Sequence, residues 1–229
     1  MVNDVVSGAL STVSHPMFSA VQHEPETIRR GFLASTFVSS VISFPIFAGI
    51  AVVADLAVPV IFGEKWLEAV GPIRLLCLLG MISCIGTLQA SLIKSRGKAN
   101  WWFYYQSASS LLNLALVAVF ARQGITVMLG AMVLKTYLIW PVAVAMTLRL
   151  TEMRVGDYLR QFLPPLGAVA VMILSVLLAR QVTGGFAPMA ALAADIAVGA
   201  AAYTIALLVF APRRILDLGG TVLRAARAR

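Results

Sequence analysis

Charged residues are scarce in this sequence, and so are the residues that build disulfides and metal sites. Only 12% of the 229 residues are charged, whereas an ordinary soluble domain carries about 25%. Cys77 and Cys84 are separated by two helical turns, or about 10 Å, which is too far for a disulfide. His15 and His23 are isolated. The composition therefore excludes a disulfide-stapled secreted domain, and it predicts neither a metal site nor a cofactor.

Hydrophobic residues make up 60% of the chain, and its mean hydropathy is +0.89. A soluble core of this size cannot enclose so much apolar surface, so we expect the excess to face lipid. A spanning helix needs roughly 20 apolar residues, which leaves room for six or seven spans. The net charge of +8 does not indicate a nucleic-acid partner, because the basic residues lie between the apolar stretches.

Six apolar stretches reach or approach spanning length, and none alternates with the period of two that is typical of membrane strands. The segment over 2–22 mixes Ser, Thr and His with apolar residues, and it favours a shorter helix that faces protein rather than lipid. The sequence therefore predicts an all-α polytopic transmembrane bundle over 1–211, with six full spans plus the shorter N-terminal helix, and a basic tail over 212–229. The six predicted spans are 31–61, 67–93, 101–121, 125–148, 162–179 and 188–210. In the first of them, Pro45 and a second break at Asp55 and Pro59 predict a kinked helix followed by a short turn.

The basic residues predict the orientation of these spans. Most of the 18 Lys and Arg residues fall in alternate loops and in the tail, and few fall in the loops between them. Because Lys and Arg accumulate on the cytoplasmic side of membrane proteins, we expect the Arg-rich loops and the C-terminus to be cytoplasmic.

The sequence has no pattern of an active site, so we do not expect an enzyme. Polar groups within the spans are more informative, because ionisable residues in a membrane usually mark a pathway or an internal ion pair. One hypothesis is a partly hydrated, net-positive cavity for an anionic substrate. The other is a structural ion pair between Lys135 and Asp195, with Arg74 and Asp55 reaching the outer interface. The candidate substrate-path residues are Lys135, Arg74, Gln89 and Asn113.

Several short motifs resemble a known family. The run His-Pro-Met-Phe-Ser-Ala-Val-Gln over 15–22 is followed by Glu-Pro-Glu over 24–26 and by Arg29 and Arg30. Phe44 and Pro45 follow, and then Phe-Gly-Glu-Lys-Trp over 62–66. Over about 10–165 the chain resembles the polysaccharide-biosynthesis flippases, which are lipid-linked oligosaccharide translocases of the multidrug/oligosaccharidyl-lipid/polysaccharide exporter superfamily.

The resemblance implies a fold and a function. It implies two helical lobes around a central cavity, which rock to move an undecaprenyl-diphosphate-linked oligosaccharide from the inner to the outer leaflet of the bacterial inner membrane. The chain resembles only the C-terminal lobe, so we expect an N-terminal lobe or a partner chain to complete it. A cation-coupled drug antiporter of the same superfamily is an alternative, but few acidic residues lie in the spans. A non-transporting scaffold or a membrane enzyme is a further alternative, and the short outer loops count against an enzyme.

Overall fold

The computed structural model describes residues 25–183, 185–212 and 214. Within these residues the chain is helical, without strands, and six helical segments are long and apolar enough to cross a membrane. The predicted all-α bundle with six full spans is therefore confirmed. The predicted helix over 2–22 and most of the basic tail lie outside the described residues. The helices are α1 (Pro25–Phe62), α2 (Val70–Ser95), α3 (Ala99–Phe120), α4 (Ile125–Thr151), α5 (Val155–Leu159), α6 (Leu163–Thr183) and α7 (Pro188–Phe210).

The first helix is longer than the sequence predicts. We expected a break near Asp55 and Pro59, but α1 continues through Pro45 and Pro59 to Phe62. A proline removes one backbone donor, and neighbouring helices make that loss tolerable inside a membrane bundle. The chain then turns at Gly63, which has a φ of 93° and precedes a short 3₁₀ helix, Glu64–Ala69. A positive φ of this kind favours glycine.

The core lies where α1 packs against α2, α6 and α7. Small hydroxyl residues line one face of α1, and their side chains are completely buried. Ser40 donates its hydroxyl hydrogen bond to the carbonyl of Thr36 at 2.8 Å, within the same helix. At another point α2 approaches α1 so closely that a Cβ added to Gly80 would overlap the ring of Phe47. Small residues therefore allow tight helix contact here, as they do in membrane proteins generally.

The helix α3 lies at the edge of the bundle. None of its residues is buried, and it contacts α2 and α4 through few side chains. Its loose packing leaves open space on both sides of α3, between it and its two neighbours. The polar residues that the sequence singled out are found in one of these spaces.

Contacts at one end of the bundle join the segments that the sequence predicts to be cytoplasmic. Arg29, at the start of α1, lies 3.6 Å from Asp157 on α5. Arg214 donates a hydrogen bond to Gln161 Oε1 at 2.8 Å, just before α6. Three of the basic segments thus lie at the same end of the bundle, as alternating spans require.

Candidate functional site

A polar cavity of about 530 Å³ lies between α2, α3 and α4. Lys135, Gln89 and Asn113 line it, so the structure brings together three of the four candidate substrate-path residues. The lining contains further polar and aromatic residues that were not among the four candidates. They are Trp102, Tyr105, Gln106, Ser109 and Trp140.

Helical periodicity explains why these side chains meet. Ser109 and Asn113 are four residues apart on α3, so they lie on the same face of the helix. Lys135 lies on α4, which runs antiparallel to α3 after the tight connection at Gly124. Gln89 reaches the cavity from α2. Three helices thus contribute polar groups to one open space between apolar spans.

Lys135 carries the positive charge of this cavity. Its Nζ donates a hydrogen bond to Ser109 Oγ at 3.0 Å, and it lies 3.5 Å from the carbonyl oxygen of the same residue. No acidic side chain lines the cavity, and Lys135 has no ion pair in the described part of the chain. The formal charge of the described lining residues is therefore positive.

The ion pair between Lys135 and Asp195 is not formed. Asp195 pairs instead with Arg180, whose Nε lies 2.7 Å from Asp195 Oδ2. That pair lies on α6 and α7, whereas Lys135 lies on α4 beside α3. Depth along a helix can be read from the sequence, but the direction in which a helix faces cannot, and this hypothesis failed for that reason.

Three buried polar atoms of the cavity residues have no hydrogen-bond partner among the described residues. Two are acceptors, Gln89 Oε1 and Asn113 Oδ1, and one is a donor, Trp140 Nε1. The amide of Gln89 is held at its other end, because Nε2 donates a hydrogen bond to the hydroxyl of Tyr158 at 3.2 Å. Buried polar groups are normally paired, and leaving one unpaired costs about 1–3 kcal/mol. The cavity is therefore suited to water or to a polar ligand.

Arg74 is the fourth candidate substrate-path residue, but it lies outside this cavity. It donates a hydrogen bond from Nε to the carbonyl of Ala51 at 3.0 Å, and its Nη2 lies 3.5 Å from Asp55 Oδ1. Arg74 and Asp55 lie at the end of the bundle where α1 ends and α2 begins, which is the end that the second hypothesis predicts to be external. Arg74 therefore belongs to an ion cluster rather than to the polar cavity.

Arg180 is the centre of this cluster, and sequence reasoning missed its role. Its Nη1 lies 2.8 Å from Asp55 Oδ2 and its Nη2 lies 3.1 Å from Asp55 Oδ1, which is a bidentate pair. It also binds Asp195, and its Nη2 donates to the carbonyl of Val52 at 3.0 Å. Two arginines thus balance two aspartates across α1, α2, α6 and α7. Asp55 and Asp195 lie within apolar stretches, and buried carboxylates need a cation at a similar depth. This need is the signal that could have identified Arg180.

Comparisons with known proteins agree with the resemblance. Residues 1–71 match a family model described as "Polysaccharide biosynthesis protein". The chain is 32% identical to the teichuronic acid biosynthesis protein TuaB of Bacillus subtilis, over 49% of this chain and 24% of that protein. It is 27% identical to the lipopolysaccharide biosynthesis protein WzxC of Escherichia coli, over 48% of this chain and 22% of that protein.

A third relative has the same pattern of coverage. The amylovoran biosynthesis protein AmsL of Erwinia amylovora is 29% identical, over 50% of this chain and 29% of that protein. The match thus spans less than a third of the length of each of these relatives. No solved structure matches the chain. The resemblance suggested by the sequence motifs is confirmed, because this multi-pass membrane chain is similar to polysaccharide biosynthesis proteins over about half of its length.

Proposed function

We propose that this chain is the C-terminal lobe of a flippase that moves an undecaprenyl-diphosphate-linked oligosaccharide across the bacterial inner membrane by alternating access. The observation that carries the proposal is the polar cavity around Lys135. Among the residues that the structure describes, it combines a cation that has no acidic neighbour with unpaired amide acceptors, in the middle of apolar helices.

The groups of the cavity complement the polar part of such a substrate. A diphosphate is anionic and accepts hydrogen bonds, so the ammonium of Lys135 is a suitable partner. Sugar hydroxyls donate hydrogen bonds to the carbonyl oxygens of Gln89 and Asn113 and accept one from Trp140 Nε1. Without such partners, the transfer of charge and hydroxyls through hydrocarbon is prohibitively costly. A cationic drug is a poorer fit, because no carboxylate lines the cavity.

The size of the cavity supports a second lobe. Its volume of about 530 Å³ suits a small ligand, such as the diphosphate with a sugar or two, but not a whole glycan. Transporters built from two bundles place the substrate between them and rock one bundle against the other. A second lobe or partner chain would enclose the rest of the polar path. The relatives are longer than the matched region, which is compatible with that arrangement.

The proposal is tested by replacing Lys135 in the complete transporter of the native host. Lys135→Ala removes the charge and is expected to reduce surface polysaccharide, whereas Lys135→Arg keeps the charge and is expected to retain part of the export. Lys65→Ala is the matched control, because Lys65 lies in an exposed turn away from the cavity. Membrane abundance is measured in parallel by immunoblot.

Two outcomes would contradict the proposal. Normal export by Lys135→Ala would show that the charge is not needed. If Lys135→Ala is degraded, Asn113→Leu tests the same cavity without changing any charge, and unchanged export by a stable Asn113→Leu protein would reject the polar path.

A further inference from the structure

A second cavity, of about 800 Å³, forms a groove between α3 and α4. Its lining is almost entirely apolar, with one charged residue. The two cavities are neighbours, since Tyr105, Ser109 and Ile139 line both. The lining of the groove includes Trp101, Leu112, Ile139, Ala145 and Arg149.

The groove has the length of one membrane leaflet. From Ile139 to Arg149 on α4 the helix rises about 15 Å, and from Trp101 to Leu112 on α3 it rises about 16 Å. The hydrocarbon core of a bilayer is about 30 Å thick, so one leaflet contributes about 15 Å. An acyl chain that enters at the Arg149 end therefore reaches the middle of the membrane at the far end of the groove.

The charged residues lie at one end of this groove. Because α3 and α4 are antiparallel, Trp101 near the start of α3 and Arg149 near the end of α4 lie at the same membrane surface. Lys98 Nζ lies 5.6 Å from the centroid of the Trp101 ring, which adds a second cation. Neither Arg149 nor Lys98 forms an ion pair with any residue that the structure describes.

These observations select one kind of occupant. An apolar helix from another protein would cover the groove but leave both cations without a counter-ion. A lipid without a phosphate would do the same, and the phosphate of a zwitterionic lipid is already offset by the ammonium of its own headgroup. An anionic lipid supplies a chain for the groove and a phosphate for the cations, and the Trp101 ring lies at the level where amphipathic aromatics meet headgroups.

We propose that the groove between α3 and α4 binds one anionic glycerophospholipid. Its phosphate lies at Arg149 and Lys98, and one acyl chain lies along Trp101, Ala145 and Leu112 towards Ile139. The lipid is a resident of the groove rather than the transported substrate, so the proposal does not depend on the flippase function.

The test is lipid retention by the full chain, purified in mild detergent and exchanged into bilayer discs of phosphatidylglycerol and phosphatidylcholine. After the discs are dissolved, native mass spectrometry counts the lipids that remain bound. Arg149→Gln removes the charge, and Arg96→Gln is its matched control at the same end of the bundle but outside the groove. Ala145→Phe fills the groove, and Ala118→Phe is its matched control on an exposed part of α3.

We expect one phosphatidylglycerol molecule to remain bound to the wild type and to each of the two control variants. Arg149→Gln should retain about fivefold less, since one basic residue near an anionic headgroup contributes about that factor. Ala145→Phe should lose the lipid. Equal retention of phosphatidylcholine, equal loss in Arg149→Gln and Arg96→Gln, or retention by Ala145→Phe would each overturn the proposal. So would a dimer of the chain that Ala145→Phe dissociates, because the groove would then bind a second copy.

Discussion

Arg180 on α6 binds the carboxylate of Asp195 on α7, with 2.7 Å between Nε and Oδ2. The side chain of Asp195 is completely buried, whereas a quarter of the Arg180 side chain is exposed. The same guanidinium binds Asp55 on α1, so Arg180 connects α6 to both α7 and α1. This cluster is separate from the cavity around Lys135 and is best explained as structural.

The structural role of the cluster predicts a loss of stability in Arg180→Ala. Removal of one partner leaves a buried carboxylate without its counter-ion, which costs roughly 3 kcal/mol. We expect the melting temperature of the purified chain to fall by about 5 °C or more, whereas Arg122→Ala, in an exposed turn, changes it little. Equal melting temperatures of the two variants would show that the cluster does not stabilise the fold.

The close approach of α1 and α2 predicts a second effect on stability. A methyl group at Gly80 would overlap the Phe47 ring, so Gly80→Ala should destabilise the chain by about 1–3 kcal/mol. Gly49→Ala is the matched control, because a Cβ there meets no atom within 4 Å. Phe47→Leu should restore part of the stability lost in Gly80→Ala. If Gly80→Ala is as stable as Gly49→Ala in thermal denaturation, the two helices are not as close as described.

The sequence was sufficient to predict the six spanning helices of the described residues, because lipid requires about 20 apolar residues per span. It also singled out Lys135, Gln89 and Asn113, since polar groups are rare in such stretches. It could not show that α1 continues past Pro59, because packing against neighbours decides whether a membrane helix tolerates proline.

The sequence could not predict which acidic and basic residues form ion pairs, for a different reason. Asp195 was assigned to Lys135 on approximate depth, but contact also depends on which face each residue occupies and on which helices are neighbours. Arg180 lies near the end of an apolar stretch, where a basic residue normally reaches the interface. Only the packing of α1 against α6 and α7 shows that it turns inward to Asp55.

The distribution of basic residues predicts the topology of the chain. A reporter fused after Arg229 should be cytoplasmic, and one inserted at Gly185 between α6 and α7 should be external. Pairs of alkaline phosphatase and fluorescent protein fusions measure both positions. An external C-terminus would contradict the orientation and place the Arg149 end of the lipid groove in the outer leaflet.

The absence of carboxylates from the cavity predicts that adding one will impair export. Asn113→Asp changes little volume but neutralises the positive charge of the cavity, so surface polysaccharide should decrease while the protein remains in the membrane. Asn100→Asp is the matched control, since Asn100 is exposed and lies outside the cavity, where its Oδ1 accepts a hydrogen bond from the Trp101 amide. Equal export by the two variants would mean that charge in this cavity does not affect transport.

The central claim is that the cavity around Lys135 contacts a lipid-linked glycan during transport. The most direct measurement is photo-crosslinking in the native host, with a photoreactive residue at Gln106, which lines the cavity, or at Leu114, an exposed residue of α3 outside it. The account predicts a crosslinked undecaprenyl-diphosphate glycan from position 106 that disappears when Lys135 is replaced by Ala, and none from position 114. Glycolipid that crosslinks equally from both positions, or that is unaffected by Lys135→Ala, would contradict it.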